Sequence, residues 1–167
     1  MKIAIIGSGI SGLTAGYLLN RNHDISITDI DSSALNRMKN EIYPGRYGEW
    51  NKSIKLLTTN EIKNIYFDLV FIGTPPISHI DICLNAIDIH KPKIIHIEKP
   101  ISVPNLSHIK SLINKALKNN TILLNGYNHN LTKNVLKAKE IIKSNNFGKP
   151  LIMHSNVNEH WGGIFSA

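Results

Sequence analysis

The chain has 167 residues, 42% hydrophobic and 19% charged, enough for one core of ordinary size and too few for two. Its one cysteine, Cys83, excludes an internal disulfide framework and a multi-cysteine metal site, and no apolar run approaches the roughly 18 residues of a membrane span. The net charge of +7 lies almost wholly in the second half, on lysines spaced along helical patterns without an arginine cluster or interleaved aromatics, which argues for a solvated face and against nucleic acid. The apolar start, Met1 to Ile6, is too short for a signal peptide and runs straight into glycines, so a cytoplasmic soluble domain is expected.

In chain order, Lys2 to Ile6 is a short β-branched run, as expected of a strand buried on both faces. Ile10, Leu13, Tyr17 and Leu18 then recur at helical spacing to about Asn22. Ile25 to Thr28 reads as a second strand ending at Asp29, and Ser32 and Ser33 as caps of a helix through about Asn40. Residues 43 to 53 carry Pro44, Gly45 and Gly48 and read as a loop. A weak strand at Ile54 to Leu57 and a short helix near Glu61 follow. Leu69 to Gly73 is a buried strand stopped by Thr74-Pro75-Pro76, and Ile77, Ile80, Leu84 and Ile87 mark the next helix. Ile94 to Ile97 and Thr121 to Leu124 are strands. Leu106, Ile109, Ile113 and Ala116, then Leu131, Val135, Ala138 and Ile142, mark two further helix faces.

Strand–helix alternation with short connections predicts an α/β fold, a doubly wound, mostly parallel sheet of the Rossmann type, with six strands before residue 125. Alternation resumes at Leu151 to Val157 after Gly148-Lys149-Pro150, as the first strand of a truncated second α+β domain. The expected division is therefore 1–125 for a dinucleotide-binding domain, 126–150 for a connecting segment and helix, and 151–167 for the start of a substrate and oligomerisation domain. A strand opening a new sheet has an unpaired edge, which favours association with another copy.

Gly7-Ser8-Gly9-Ile10-Ser11-Gly12 matches G-x-G-x-x-G between a strand and a helix, the context that gives the pattern meaning. The first glycine permits the tight turn, the second the approach of a diphosphate, the third close helix–strand packing. Asp29, 17 residues past Gly12, stands where a carboxylate accepts from an adenosine ribose diol and repels a 2′-phosphate, favouring NAD over NADP; alternatively Asp29 or Asp31 only caps the next helix. Thr74-Pro75-Pro76 ends a strand at the carboxyl edge where such sheets bind ligands, with His79 close to the following helix start, where an isolated histidine more commonly serves the surface or the core. Glu98-Lys99-Pro100 ends the next strand at the same edge. An ammonium held there, its proton affinity lowered by burial and raised by Glu98, can hold a substrate hydroxyl and stabilise negative charge; a strand-end ion pair is the simpler alternative. Asn125 to Asn130 suits sugar hydroxyls or a turn, Cys83 reads as buried and inert, and the eight histidines show no zinc spacing, so no metal is expected.

Together these residues resemble the glucose–fructose oxidoreductase and inositol dehydrogenase (Gfo/Idh/MocA) family over essentially the whole chain: Gly7 to Gly12, Asp29, Thr74-Pro75 with His79, Glu98-Lys99-Pro100, Asn128, and Phe147-Gly148-Lys149-Pro150 before a new strand. The resemblance implies an NAD(P)-dependent oxidoreductase acting on a hydroxyl or keto group of a sugar, nucleotide sugar or related polyol. It implies cofactor contacts from Gly7, Ser8, Gly9, Ile10, Ser11, Gly12, Asp29, Thr74, Pro75, His79 and Glu98. It makes Lys99 the catalytic residue and a substrate contact, with Asn128 beside the nicotinamide or substrate. His129 stands where many members carry arginine. The family's proton-transferring histidine belongs to the second domain, so the chain as given is expected to bind cofactor without turnover. A stand-alone dinucleotide-binding module, and a flavin-dependent amine oxidase fragment sharing the same glycine turn, are the rival readings.

Overall fold

The computed structural model describes residues 1–104, 108–154 and 156. Its backbone divides into two compact units, Met1–Tyr127 and Asn128–Ala167.

The first unit is built on six parallel strands: β1 (Lys2–Ile6), β2 (Asp24–Thr28), β3 (Lys55–Leu57), β4 (Leu69–Ile72), β5 (Ile94–Ile97) and β6 (Ile122–Asn125). Their order, β3-β2-β1-β4-β5-β6, is that of the dinucleotide-binding fold, with the chain reversing its direction of winding between β1 and β4. Register levels the carboxyl ends: Ile6 lies opposite both Thr28 and Ile72, and Ile72 opposite Ile97. The residues that follow, Gly7, Asp29, Gly73 and Glu98, therefore emerge along one edge.

The period-2 alternation of buried strands sends side chains into two cores, one on each face. Ile3, Ile5, Ile25, Ile27 and Phe71 pack beneath Leu13 of α1 (Ile10–Leu19), Leu35 of α2 (Ser32–Arg37) and Met38. Ala4, Val70, Ile72, Ile95 and Ile97 face Cys83, Ala86 and Ile87 of α4 (His79–His90) and Leu112 and Ala116 of α5 (Ile109–Lys118). Among the described residues no helix is long and apolar enough to cross a membrane.

Several expectations need correcting. In α1 the buried residues are Gly12, Leu13 and Gly16, while Ile10 and Leu18 are exposed. The helix lies so close to the sheet that a Cβ on Gly16 would come 2.8 Å from Ile27 Cδ1, so Gly12 and Gly16 share the contact with the expected Leu13. The cap of α2 is Asp31, whose carboxylate accepts from the Ser33 N–H at 2.8 Å, and neither Ser32 nor Ser33. Residues 43–53 are not all loop. After a π-helical turn, Met38–Ile42, a short helix α3 (Tyr43–Tyr47) places Pro44 in its first turn, where the missing N–H costs nothing. Tyr43 and Tyr47 pack against Tyr17, the Tyr17–Tyr47 rings stacked at 4.0 Å, and Trp50 meets Tyr43 edge-on. That aromatic packing overrides the breaker residues.

Ile77 lies in a 3₁₀ turn, Pro76–Ser78, and is 77% exposed, because proline halts the strand before the helix begins. In α5 the inward residue is Leu112, and Ile113 is exposed; Leu106 lies outside the described residues. In the second unit, a 3₁₀ turn, Asn128–Leu131, leads to α6 (Lys133–Ser144), which extends no further than Ser144, with Leu131 exposed. The expected strand from Leu151 has no regular structure over 151–154, consistent with a strand's need for a pairing neighbour; residues 155 and 157 onward lie outside the described ones.

Candidate active site: a dinucleotide cleft at the sheet switch point

The turn after β1 begins with Gly7 at φ +104°, a conformation that L side chains rarely adopt, and a Cβ there would come 2.8 Å from the Gly73 carbonyl carbon. A Cβ on Gly12 would come 2.0 Å from the Gly7 carbonyl oxygen. These two glycines are required by the protein's own packing. Gly9 is different: the nearest atom to an added Cβ is the Gly73 oxygen at 3.9 Å, and the open side is the cleft. Gly9 caps α1 without a side-chain hydrogen bond, and the first turn of α1 contains no acidic residue. The positive end of the helix therefore has no carboxylate of its own in that turn.

Asp29 ties this turn to β2. Its Oδ2 accepts from the Ser8 backbone N–H and from the Ser8 hydroxyl, both at 2.7 Å, and its Oδ1 accepts from the Asp31 N–H at 3.1 Å. The two carboxylates have separate tasks: Asp31 caps α2, and the Ser33 hydroxyl and N–H hold its carboxyl below the ordinary 3.8. Asp29 faces the cleft.

That cleft, about 640 Å³, lies at the switch point, within the usual size of small-molecule sites. Gly7, Gly9, Asp29, Thr74 and Pro75 line it. Sequence reasoning missed Thr28, Ile30, Thr59, Ser78 and Ile82, which also line it. Thr28 and Ile30 flank Asp29, so their place at the same strand end was readable; Thr59 and Ile82 are brought in only by tertiary packing. Thr28 Oγ1 is buried and has no hydrogen-bond partner among the described residues, although it borders a cleft able to hold a polar ligand. Open space at Gly9, a helix start with no acidic residue in its first turn, a carboxylate at the β2 end and an orphaned hydroxyl fit a dinucleotide.

The Thr74 loop is held by the Ser78 hydroxyl, which lies 2.9 Å from Thr74 Oγ1 and donates to the Pro75 carbonyl. His79 is fully buried, with Nε2 2.7 Å from the Thr74 carbonyl oxygen and Nδ1 3.0 Å from that of Pro100. It bonds the walls and does not line the cleft.

Glu98 and Lys99 follow β5. The Lys99 N–H donates to Glu98 Oε2 at 3.2 Å, Lys99 is exposed, and no ion pair joins the two side chains among the described residues. The expectation of a buried ammonium there is thus corrected, and so is the ion-pair alternative. Glu98 Oε1 packs over Gly126, whose Cβ would lie 3.2 Å away. Asn128 and His129 belong to the second unit, in the turn before α6. Cys83 is fully buried, and burial pushes its thiol up to about 12.

Comparison with known proteins agrees with this geometry. The myo-inositol 2-dehydrogenase of Thermotoga maritima is 26% identical over 156 residues, 92% of this chain and 44% of that protein. Oxidoreductase P35 of Formosa agariphila is 29% identical over 120 residues, 70% of this chain and 35% of that protein. The crystal structure of scyllo-inositol dehydrogenase from Lactobacillus casei with bound NAD(H) and scyllo-inositol shares the fold at a TM-score of 0.69 and 18% identity, over 89% of this chain and 42% of that one. The chain thus spans less than half the length of the relatives it matches. Residues 1–127 match the family model described as an oxidoreductase family with an NAD-binding Rossmann fold, and the chain belongs to that Gfo/Idh/MocA family.

Proposed function

We propose that this chain forms the cofactor-binding part of an NAD-dependent oxidoreductase acting on a hydroxyl or keto group of a sugar, nucleotide sugar or related polyol. The observation that carries the reading is the convergence of open space at Gly9, the Asp29 carboxylate and the buried Thr28 hydroxyl on one cleft. Two matched relatives named as inositol dehydrogenases support a cyclic polyol as the substrate class.

In this reading the α1 start and Gly9 receive the diphosphate, with Ser8, Ile10 and Ser11 in the same turn. Asp29 accepts from the adenosine ribose hydroxyls while remaining bonded to Ser8, since each carboxylate oxygen accepts more than one hydrogen bond. Its charge disfavours a 2′-phosphate, so NAD is preferred over NADP. Thr74, Pro75 and Glu98 border the cofactor, which when bound supplies the hydride acceptor or donor. Lys99 holds the reacting oxygen through its ammonium and lowers the cost of negative charge there. Asn128 and His129 contact the substrate. Proton transfer falls to a group outside these 167 residues, and association between copies to the C-terminal segment.

Calorimetric titration of the chain with NADH and NADPH tests the reading. NADH is expected to bind more tightly by at least about tenfold. Equal or tighter NADPH binding would overturn the NAD assignment, and clear turnover of a polyol by residues 1–167 alone would show that the proton-transfer group has been misplaced.

A further inference from the structure

His79 is more deeply buried than its sequence context suggests. It is fully enclosed at the start of α4, yet both ring nitrogens meet backbone carbonyl oxygens from different strand ends. Nε2 lies 2.7 Å from the oxygen of Thr74, in the loop after β4, and Nδ1 lies 3.0 Å from the oxygen of Pro100, in the loop after β5. Thr74 lines the cleft; Pro100 directly follows Lys99.

We infer that His79 is a positioning residue, a clamp setting the spacing between the cofactor wall at Thr74-Pro75 and the segment that carries Lys99. Both partners only accept hydrogen bonds, so each nitrogen fastens its loop only as an N–H donor, and the two-armed clamp is the ring with a hydrogen on both nitrogens. Leucine or phenylalanine would serve equally well to fill a core at this point, and neither would bond the carbonyls. Two backbone acceptors on one enclosed ring are a fastening between loops. Loops at a ligand site need such fastening, because a displacement of about 1 Å costs on the order of a hundredfold in rate. The functional meaning rests on the proposed roles of Thr74 and Lys99, whereas the clamp itself is a property of the chain.

Asparagine and glutamine separate the two arms. An Asn amide nitrogen occupies roughly the place of Nδ1, and a Gln amide nitrogen that of Nε2. Backbone hydrogen exchange, read over residues 73–78 and 98–103 by mass spectrometry at millisecond labelling times, measures each arm without cofactor. His79→Phe is expected to speed exchange in both segments by about tenfold while β1 and β4 keep wild-type protection. His79→Asn restores protection to 98–103 alone, and His79→Gln to 73–78 alone. Should His79→Phe fail to fold, the opposite patterns of Asn and Gln decide the matter by themselves. Unchanged exchange in a folded His79→Phe would overturn the clamp. So would loosening spread through β1, or restoration of the same segment by both amides. An NADH titration beside these measurements keeps the two readings apart: a chain that shows the arm-specific pattern but binds no NADH retains the clamp and loses the proposed function.

Discussion

At the scale of single residues, what a side chain touches decides how it responds to substitution. Asp29 accepts three hydrogen bonds from its own chain, so Asp29→Ala loosens the Ser8 turn as well as removing the proposed ribose acceptor. Loss of charged hydrogen bonds of this kind costs about 1.5–3 kcal/mol each, so NADH affinity is expected to fall by one to two orders of magnitude, with NADPH affected less, by calorimetry. Lys99 makes no ion pair with Glu98 and is exposed, so Lys99→Met is expected to leave NADH affinity within about twofold. In a form of the protein that turns over, the same substitution should lower kcat strongly, the signature of an interaction made in the transition state; near-normal kcat would remove Lys99 from the chemistry. Cys83 is the opposite case. Its buried thiol, pushed up to about 12, should resist disulfide reagents at pH 8 until the chain is unfolded, and rapid labelling of the native protein would contradict its place in the core.

At the scale of elements, glycine has several meanings in this chain. Gly12→Ala forces a Cβ to 2.0 Å from the Gly7 oxygen and should cost several kcal/mol, read as a large loss of Tm. Gly45, inside α3, has no atom within 4 Å of an added Cβ, and Gly45→Ala should raise stability by about 0.5–1 kcal/mol. The contrast explains how much of the fold was legible beforehand. The strands were read to within a residue or two, because buried parallel strands are short β-branched runs with few alternatives, as at Ile3 to Ile6 and Ile94 to Ile97. The switch-point residues Gly7 and Asp29 were legible because each immediately follows such a run, and Thr74 because it lies one glycine beyond one. Helix faces were less so. The apolar pattern rightly included Leu13 and Ala116 but also pointed to Ile10 and Ile113, where Gly12, Gly16 and Leu112 make the contacts instead. Pro44 and Gly45 hid α3, since no local rule foresees that Tyr17, Tyr43, Tyr47 and Trp50 will pack together. His79 was found by its motif, but its clamp was invisible, because carbonyl partners leave no trace in residue identity.

Across the whole molecule, buried imidazoles set the response to acid. Burial lowers the pKa of His90 below the ordinary 6.5, partly opposed by its bond to the Ile65 carbonyl, and burial lowers that of His96, partly opposed by Glu98. Both therefore prefer to be neutral in the fold, and the unfolded chain takes up protons first. Their contribution is fully present above about pH 6.5 and is lost as pH falls below that value toward the folded ones. Asp31, Glu61 and Asp68 are shifted downward by hydrogen bonds, chiefly from Ser33, Thr58 and Lys2, and lose their contribution only below the ordinary carboxylate range. Thermal melts should thus show a first decline as pH falls below about 6.5 and a second below the ordinary carboxylate range. His90→Asn should reduce the first, leaving the share of His96, and should not change the second. A Tm constant from pH 7.5 to 5 would show that the histidines are not held neutral.

In the proposed reading, the open space at Gly9 is kept for a dinucleotide. That claim is tested most directly by titrating NADH fluorescence in the wild-type chain and in Gly9→Ala, with Tm measured alongside. Gly9 is exposed at φ −64°, with 3.9 Å between its added Cβ and the nearest atom, so the fold should accept alanine with Tm unchanged within a few degrees. NADH is expected to bind the wild type saturably and Gly9→Ala at least about tenfold more weakly, because the methyl group occupies the path of the diphosphate. Equal NADH affinity in the two proteins, or no saturable binding by a folded wild type, would contradict the account.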